Sequence, residues 1–97
     1  MVPLSPATLE RLERVFDPKH RDHARTLLEN HCADNLPFCS KCGPVELERV
    51  RFAVLKLSRG QLKRLDREIC EAQKDWRDTL MAAEFGLNVD AHLHWHP

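Results

Sequence analysis

The sequence predicts an all-α protein, a compact bundle of four to five short helices with a cysteine-containing loop and an irregular C-terminal tail. Three observations lead to this prediction. Apolar residues recur at helical spacing through most of the chain, and no stretch alternates polar and β-branched residues for long enough to form a half-buried strand. Only three glycines occur in the 97 residues, so the chain offers few of the turns that a β-rich fold requires.

Length and composition predict a single domain over residues 1–97, with the irregular tail at about residues 87–97. A chain of 97 residues is long enough for one hydrophobic core, and 42% hydrophobic with 31% charged residues is ordinary for a folded domain.

The fifteen basic and fifteen acidic residues balance, which removes the general attraction to nucleic acid and to anionic membranes. The longest apolar run, residues 52–55, is far shorter than a membrane span, and residues 1–5 lack the pattern of a signal peptide. We therefore expect a cytoplasmic protein without a nucleic-acid or membrane partner.

Two helices that begin with proline are predicted first. Residues 6–16 form the first helix, with Ser5 as its N-cap. Its apolar stripe comprises Leu9, Leu12 and Phe16. The second helix begins at Pro18 and continues until residues 34–37 break the pattern. Its inner face comprises Ala24, Leu27, Leu28 and His31. Residues 32–43 are predicted to form a loop.

The third helix begins at Pro44 and is predicted to be the central, most buried element. Its apolar stripe is wide and comprises Leu47, Val50, Phe52, Ala53, Val54, Leu55 and Leu57. Ser58 and Gln61 have the spacing of a capping box, in which each side chain bonds to the other residue's backbone amide. This spacing predicts that a new helix begins at Ser58.

Residues 58–85 are predicted to form either two helices or one long helix. In the first alternative Asp75 caps the second helix and Gly86 ends it. The inner positions of this region are Leu62, Leu65, Ile69, Ala72, Trp76, Leu80, Met81 and Phe85, with Cys70 at the edge of the stripe. In the tail, Trp95 is expected to pack onto the bundle while the histidines at positions 92, 94 and 96 stay in solvent.

A pair of cysteines gives the sharpest local indication of chemistry. Cys39 and Cys42 are separated by two residues, a spacing that lets two thiolates bind one tetrahedral Zn²⁺. Cys32 or His23, both upstream, would then provide a further ligand. The competing interpretation is that the cysteines are free thiols that behave as small apolar residues. A small zinc-binding module is therefore the alternative to a protein without a cofactor.

The leading hypothesis for function is a non-catalytic helical module that binds another protein or itself. No residue pattern typical of a catalytic site occurs, which favours a protein that is not an enzyme. Aromatic and arginine side chains dominate the energetics of protein interfaces. We therefore take Arg51, Trp76, Arg77 and Trp95 as candidate anchors. An enzyme with a small-molecule pocket between its helices is the third alternative.

Several segments resemble a group of small uncharacterised bacterial proteins. The segments are Arg-Val-Arg-Phe-Ala-Val-Leu-Lys-Leu-Ser at 49–58, Asp-Trp-Arg-Asp at 75–78 and Ala-Ala-Glu-Phe-Gly at 82–86, and residues 35–39 and 91–95 are similar too. The resemblance extends over about two thirds of the chain. It implies a natural bacterial cytoplasmic protein of this size. No activity is associated with the group, so the resemblance implies no catalytic residue.

Overall fold

The computed structural model describes residues 2–33 and 44–97, and all regular structure within them is helical. The five α-helices are α1 (Pro6–Val15), α2 (Pro18–His31), α3 (Pro44–Ser58), α4 (Leu62–Lys74) and α5 (Trp76–Ala82). A 3-10 turn, Ala91–His94, lies in the tail. The prediction of an all-α bundle is confirmed.

The first helices begin where the sequence predicts. Ser5 adopts extended backbone angles and its hydroxyl accepts a hydrogen bond from the amide of Thr8 at 3.2 Å, which caps α1. Pro6 and Pro18 occupy the first turns of α1 and α2, where a missing amide hydrogen costs nothing. The inner face of α2 is narrower than predicted, because His31 in its last turn is exposed.

Helix α3 is the centre of the bundle, as predicted. It packs against α1, α4, α5 and the 3-10 turn, and every residue from Val50 to Leu55 is buried. A helix that is buried on most of its circumference needs apolar side chains on more than one face, which explains the wide stripe. The side chains that pack on α3 from α1, from the residue that follows it and from α4 include Leu12, Phe16, Leu65 and Ile69, each at most 2% exposed.

The junction after α3 corrects the predicted start at Ser58. Ser58 is the last residue of α3, and its hydroxyl donates to the carbonyl of Leu55 at 2.6 Å instead of capping a new helix. Arg59 and Gly60 then reverse the chain in left-handed conformations, with φ of 52° and 77°. A Cβ at position 60 would lie 2.7 Å from the carbonyl oxygen of Val15, so this turn requires glycine.

Residues after Ser58 form two helices rather than one. Asp75 has extended backbone angles, and its carboxylate accepts hydrogen bonds from the amides of Arg77 and Asp78 at 3.1 and 3.4 Å, which confirms the predicted cap. Helix α5 ends at Ala82 and not at Gly86, because Glu84 takes the left-handed conformation with φ of 67°. Cys70 lies on the exposed side of α4, a correction to its expected place near the core.

The tail is irregular except for the 3-10 turn, and it folds back onto the bundle. Trp95 is half-buried against the core, as predicted. His92 is only 1% exposed, whereas His94 and His96 are exposed. The expectation that all three histidines stay in solvent is therefore wrong for His92, because the 3-10 turn directs this ring toward α3.

Candidate functional site

Arg51 of α3 lies inside the protein, with 3% of its surface exposed. Its guanidinium donates to the carbonyl oxygens of Cys32 and Pro3 at 2.9 Å each, and to that of Val2 at 2.6 Å. A longer contact of 3.5 Å reaches the carbonyl of Leu28. Carbonyls at a helix C-terminus lack partners within the helix, so a buried cation here neutralises their partial negative charge. Arg51 thereby joins the N-terminal segment to the end of α2.

This position corrects the expectation that Arg51 is an interface anchor. The planar guanidinium has five N–H donors in a fixed arrangement, and backbone carbonyls inside the protein occupy it. An arginine whose donors are already bonded in the interior is not available to a partner. The remaining candidate anchors are Trp76, Arg77 and Trp95.

Two more cations of α3 bind backbone carbonyls of the segment that follows α5. Arg49 donates to the carbonyl of Phe85 at 2.8 Å, and Lys56 donates to that of Ala83 at 2.8 Å. The ammonium of Lys56 also lies 5.0 Å from the centroid of the Phe85 ring. These contacts hold the segment after α5 against the central helix, and the tail continues from there.

A chain of polar groups connects α1, α3 and the tail. The Ser5 hydroxyl lies 2.9 Å from that of Thr8 and donates to Glu48 Oε1 at 2.5 Å. The other carboxylate oxygen, Oε2, lies 3.6 Å from Nε2 of His92. In a nucleophilic site the imidazole must contact the hydroxyl and the carboxylate must orient the imidazole. Here the carboxylate lies between the two, so this chain of groups has the wrong order for that chemistry.

His92 is enclosed mainly by aromatic rings. Its ring centroid lies 5.1 Å from that of Phe52 and 6.4 Å from that of Phe85, both in edge-to-face arrangements. Neither ring nitrogen of His92 has a hydrogen-bond partner. Burial lowers the pKa of His92, and the nearby carboxylate of Glu48 opposes this shift only in part.

Of the predicted zinc ligands, Cys39 and Cys42 lie outside the described residues, so the zinc site stays a prediction. Cys32 is fully buried, and this burial raises the pKa of its thiol to about 12, although the Arg51 guanidinium acts in the opposite direction. As a zinc ligand this thiol would have to lose its proton on binding the metal. His23 is exposed on α2. No group of three or more His, Cys, Asp or Glu residues within 2–33 and 44–97 is placed to hold a metal ion.

Cys32 and His23 are alternatives and not joint ligands of one ion. At about 1.5 Å of rise per residue, positions 23 and 32 are separated by roughly 13 Å along α2. Zinc ligands lie at about 2.0–2.3 Å from the metal, so two residues this far apart along one helix do not meet at one ion.

The aromatic candidate anchors lie at the boundary between core and solvent. Trp76, at the start of α5, is half-buried, and the guanidinium of the exposed Arg77 lies 5.4 Å from its ring centroid. Trp95 contacts Phe52 and Phe85, with ring centroids 6.1 and 6.3 Å apart. Both tryptophans therefore contribute to packing and keep part of their surface in solvent.

Exposed apolar side chains are concentrated toward the C-terminus, a feature that the sequence interpretation missed. Five large apolar residues of the described chain are exposed: Val45 by 54%, Met81 by 56%, Leu87 by 94%, Val89 by 61% and Leu93 by 45%. Met81 was expected in the core, but α5 ends directly after it and its side chain lies over Gly86. The sequence feature that could have indicated this exposure is the presence of three aliphatic residues, Leu87, Val89 and Leu93, in a tail without helical periodicity.

Grooves on the described surface are open to solvent. One groove between α4 and α5 has four carboxylates in its lining, those of Glu68, Glu71, Asp75 and Asp78. Another follows α1 and the start of α2. None of the described helices has the combination of length and apolar character needed to cross a lipid bilayer.

Comparisons with known proteins give no family assignment. No family model matches the chain, and no curated protein and no solved structure matches it either. The function must therefore be argued from the residues and contacts described above.

Proposed function

We propose that this chain is a non-catalytic protein-interaction module of the bacterial cytoplasm, the compartment that the resemblance implies. It binds its partner through the C-terminal apolar surface, which we define as Met81, Leu87, Val89 and Leu93. The observation that supports this proposal is that four of the five exposed large apolar residues of the described chain lie within residues 81–93.

Isolated apolar side chains are common on protein surfaces, but several exposed ones in one region indicate an interaction site. Leu87 is 94% exposed, so its side chain gains almost nothing from the fold and is free to be buried by a partner. Trp76 and Trp95 flank this region in sequence and are half-buried, and large aromatic groups are favoured as interface anchors. Arg77, which is exposed beside Trp76, is the remaining candidate anchor.

Charge favours a partner segment that combines apolar and basic side chains. Every Lys and Arg of the sequence lies at or before Arg77, whereas Asp78, Glu84 and Asp90 follow it. Electrostatic complementarity of this kind guides encounter and selects among partners more than it adds affinity. The same distribution disfavours nucleic acid as the ligand of this surface, because residues 78–97 contain three carboxylates and no Lys or Arg to neutralise phosphate.

Site-specific photo-crosslinking tests the proposal. A photoreactive amino acid at position 87 or 93 should give a discrete crosslinked product in cells, whereas the same group at Val45 should not. Val45 is the matched control because it is apolar and 54% exposed but lies on α3, outside the surface. Equal crosslinking from positions 45 and 87 would contradict the proposal.

Self-association is the form of this interaction that purified protein can test. If the partner is a second copy, sedimentation equilibrium should give a dimer that Leu87→Ser dissociates and Val45→Ser does not. A monomer at all concentrations, together with a crosslink to another protein at position 87, assigns the surface to a different partner.

A small zinc-binding module is the second candidate, supported by the spacing of Cys39 and Cys42. Native mass spectrometry of protein purified without chelator should then show one bound zinc. Replacing both cysteines with serine should abolish this mass increment and lower the melting temperature, while Cys70→Ser, at an exposed position on α4, should change neither. Protein without bound metal would remove this candidate.

A further inference from the structure

The tail is held on the bundle by an aromatic and polar contact centred on His92. The imidazole is 1% exposed and lies against the Phe52 ring of α3 and the Phe85 ring that follows α5. Trp95, three residues further along, contacts the same two rings. Because His92 is the buried residue of the 3-10 turn, docking of the tail depends on whether this ring stays in place.

The surroundings of His92 suit a neutral ring better than a charged one. A neutral imidazole has one N–H donor, whereas an imidazolium has two donors and a full charge. The acceptor that lies near is Glu48 Oε2 at 3.6 Å, which is beyond the usual hydrogen-bond range, and Nδ1 has no partner. A second buried donor without an acceptor is costly, so protonation favours a state in which the ring reaches water.

Charged groups around His92 act in both directions. Glu48 of α3 and Asp90 of the tail favour the protonated ring, while Arg49 of α3 disfavours it. From α1, the guanidinium of Arg11 lies 5.0 Å from the Phe52 ring centroid and adds positive charge near the same cluster. The larger effect is burial, which lowers the pKa of the ring below its ordinary value.

We propose that His92 is a proton-controlled latch, which holds residues 87–97 on α3 while the ring is neutral and releases them when it is protonated. The sign follows from proton binding. The released ring has an ordinary pKa of about 6.5, whereas the docked ring has a lower one, so the released state binds more protons below this pH. Docking is therefore at its strongest above about pH 7.5 and weakens as the pH falls through 6.5, by at most about tenfold per pH unit. This proposal does not rest on the identity of the partner that binds the C-terminal apolar surface.

Hydrogen exchange of individual amides, measured by NMR, tests the latch. The amides of Leu93 and Trp95 donate within the 3-10 turn to the carbonyls of Asp90 and His92. Their protection factors, corrected for intrinsic exchange, should fall by up to about fivefold between pH 6.5 and 5.5. Amides of Leu65 and Ile69 in α4 should keep their protection over this range.

Two variants test His92 itself. His92→Phe places a ring that cannot be protonated between Phe52 and Phe85, so tail protection should become independent of pH. Glu48→Gln keeps an acceptor for the Ser5 hydroxyl but removes the carboxylate that favours the imidazolium, so the pH dependence should become steeper.

The matched control is His94→Gln with His96→Gln, because both histidines are exposed and lie in the same tail. This double variant should keep the wild-type pH dependence. The latch is overturned if tail protection in the wild type stays constant or rises on acidification. It is also overturned if the double variant abolishes the dependence, or if α4 loses protection together with the tail, which would indicate global unfolding.

Discussion

The two ends of the chain are attached to α3 by different buried polar groups. The N-terminal segment and the end of α2 are attached through Arg51, whose guanidinium donates to several backbone carbonyls at 2.6–2.9 Å. The tail is attached through His92, whose ring nitrogens have no hydrogen-bond partner. Both side chains are at most 3% exposed, so burial does not distinguish them.

The difference lies in the charge state that each site accepts. The carbonyls around Arg51 stabilise a cation, and although burial lowers the pKa of its guanidinium, arginine is so basic that it stays protonated at neutral pH. The rings around His92 favour a neutral side chain, and burial of the imidazole lowers its pKa below the ordinary value. The first attachment is therefore constant, and the second depends on conditions.

Replacing Arg51 should give the largest effect. Arg51→Met fills much of the same volume but leaves the carbonyls of Val2, Pro3 and Cys32 without their donor, which should destabilise the fold by about 3–5 kcal/mol. Urea unfolding followed by circular dichroism measures this change. Arg77→Met is the matched control, because Arg77 is exposed and its loss should cost less than about 0.5 kcal/mol. Similar losses for the two variants would mean that the internal hydrogen bonds of Arg51 do not hold the N-terminal end.

Replacing Trp95 should have a smaller and more local effect. A fully buried aromatic residue costs about 3–5 kcal/mol when truncated, so the half-buried Trp95 should cost about 1–2 kcal/mol in Trp95→Ala. The loss should appear as faster hydrogen exchange in residues 91–94 with little change in α2. Faster exchange in α2 of this variant would show that the two attachments are coupled and would contradict their separation.

The helical fold was predictable from the sequence because its determinants are local. The stripe of α3 and the caps at Ser5 and Asp75 depend on residues within one or two helical turns. The prediction that a helix begins at Ser58 was wrong, although the determinants of that helix start are also local. The capping-box spacing was present, but the Arg59–Gly60 reversal ends α3 and shifts the next helix to Leu62.

The candidate site was predictable only in part, because its residues are brought together by long-range packing. Trp95 was correctly expected to pack the tail, since a large aromatic residue gains most from burial. The burial of His92 depends on Phe52, which is distant in sequence, and on Phe85, and neither gives a local signal for it. The burial of Arg51 was indicated by the sequence, because Arg51 lies between Val50 and Phe52 in the most apolar helix.

The smallest predicted effect concerns Lys56, which belongs to the C-terminal attachment although it is a cation like Arg51. Its ammonium donates to the carbonyl of Ala83, but the side chain is 33% exposed, so water replaces much of what Lys56→Met removes. We expect a loss of about 1 kcal/mol in urea unfolding, against almost none for Lys63→Met on the exposed side of α4. A loss as large as that for Arg51→Met would show that partial exposure does not weaken a carbonyl contact here. The difference between the attachment of the N-terminal segment and that of the tail to α3 would then depend on His92 alone.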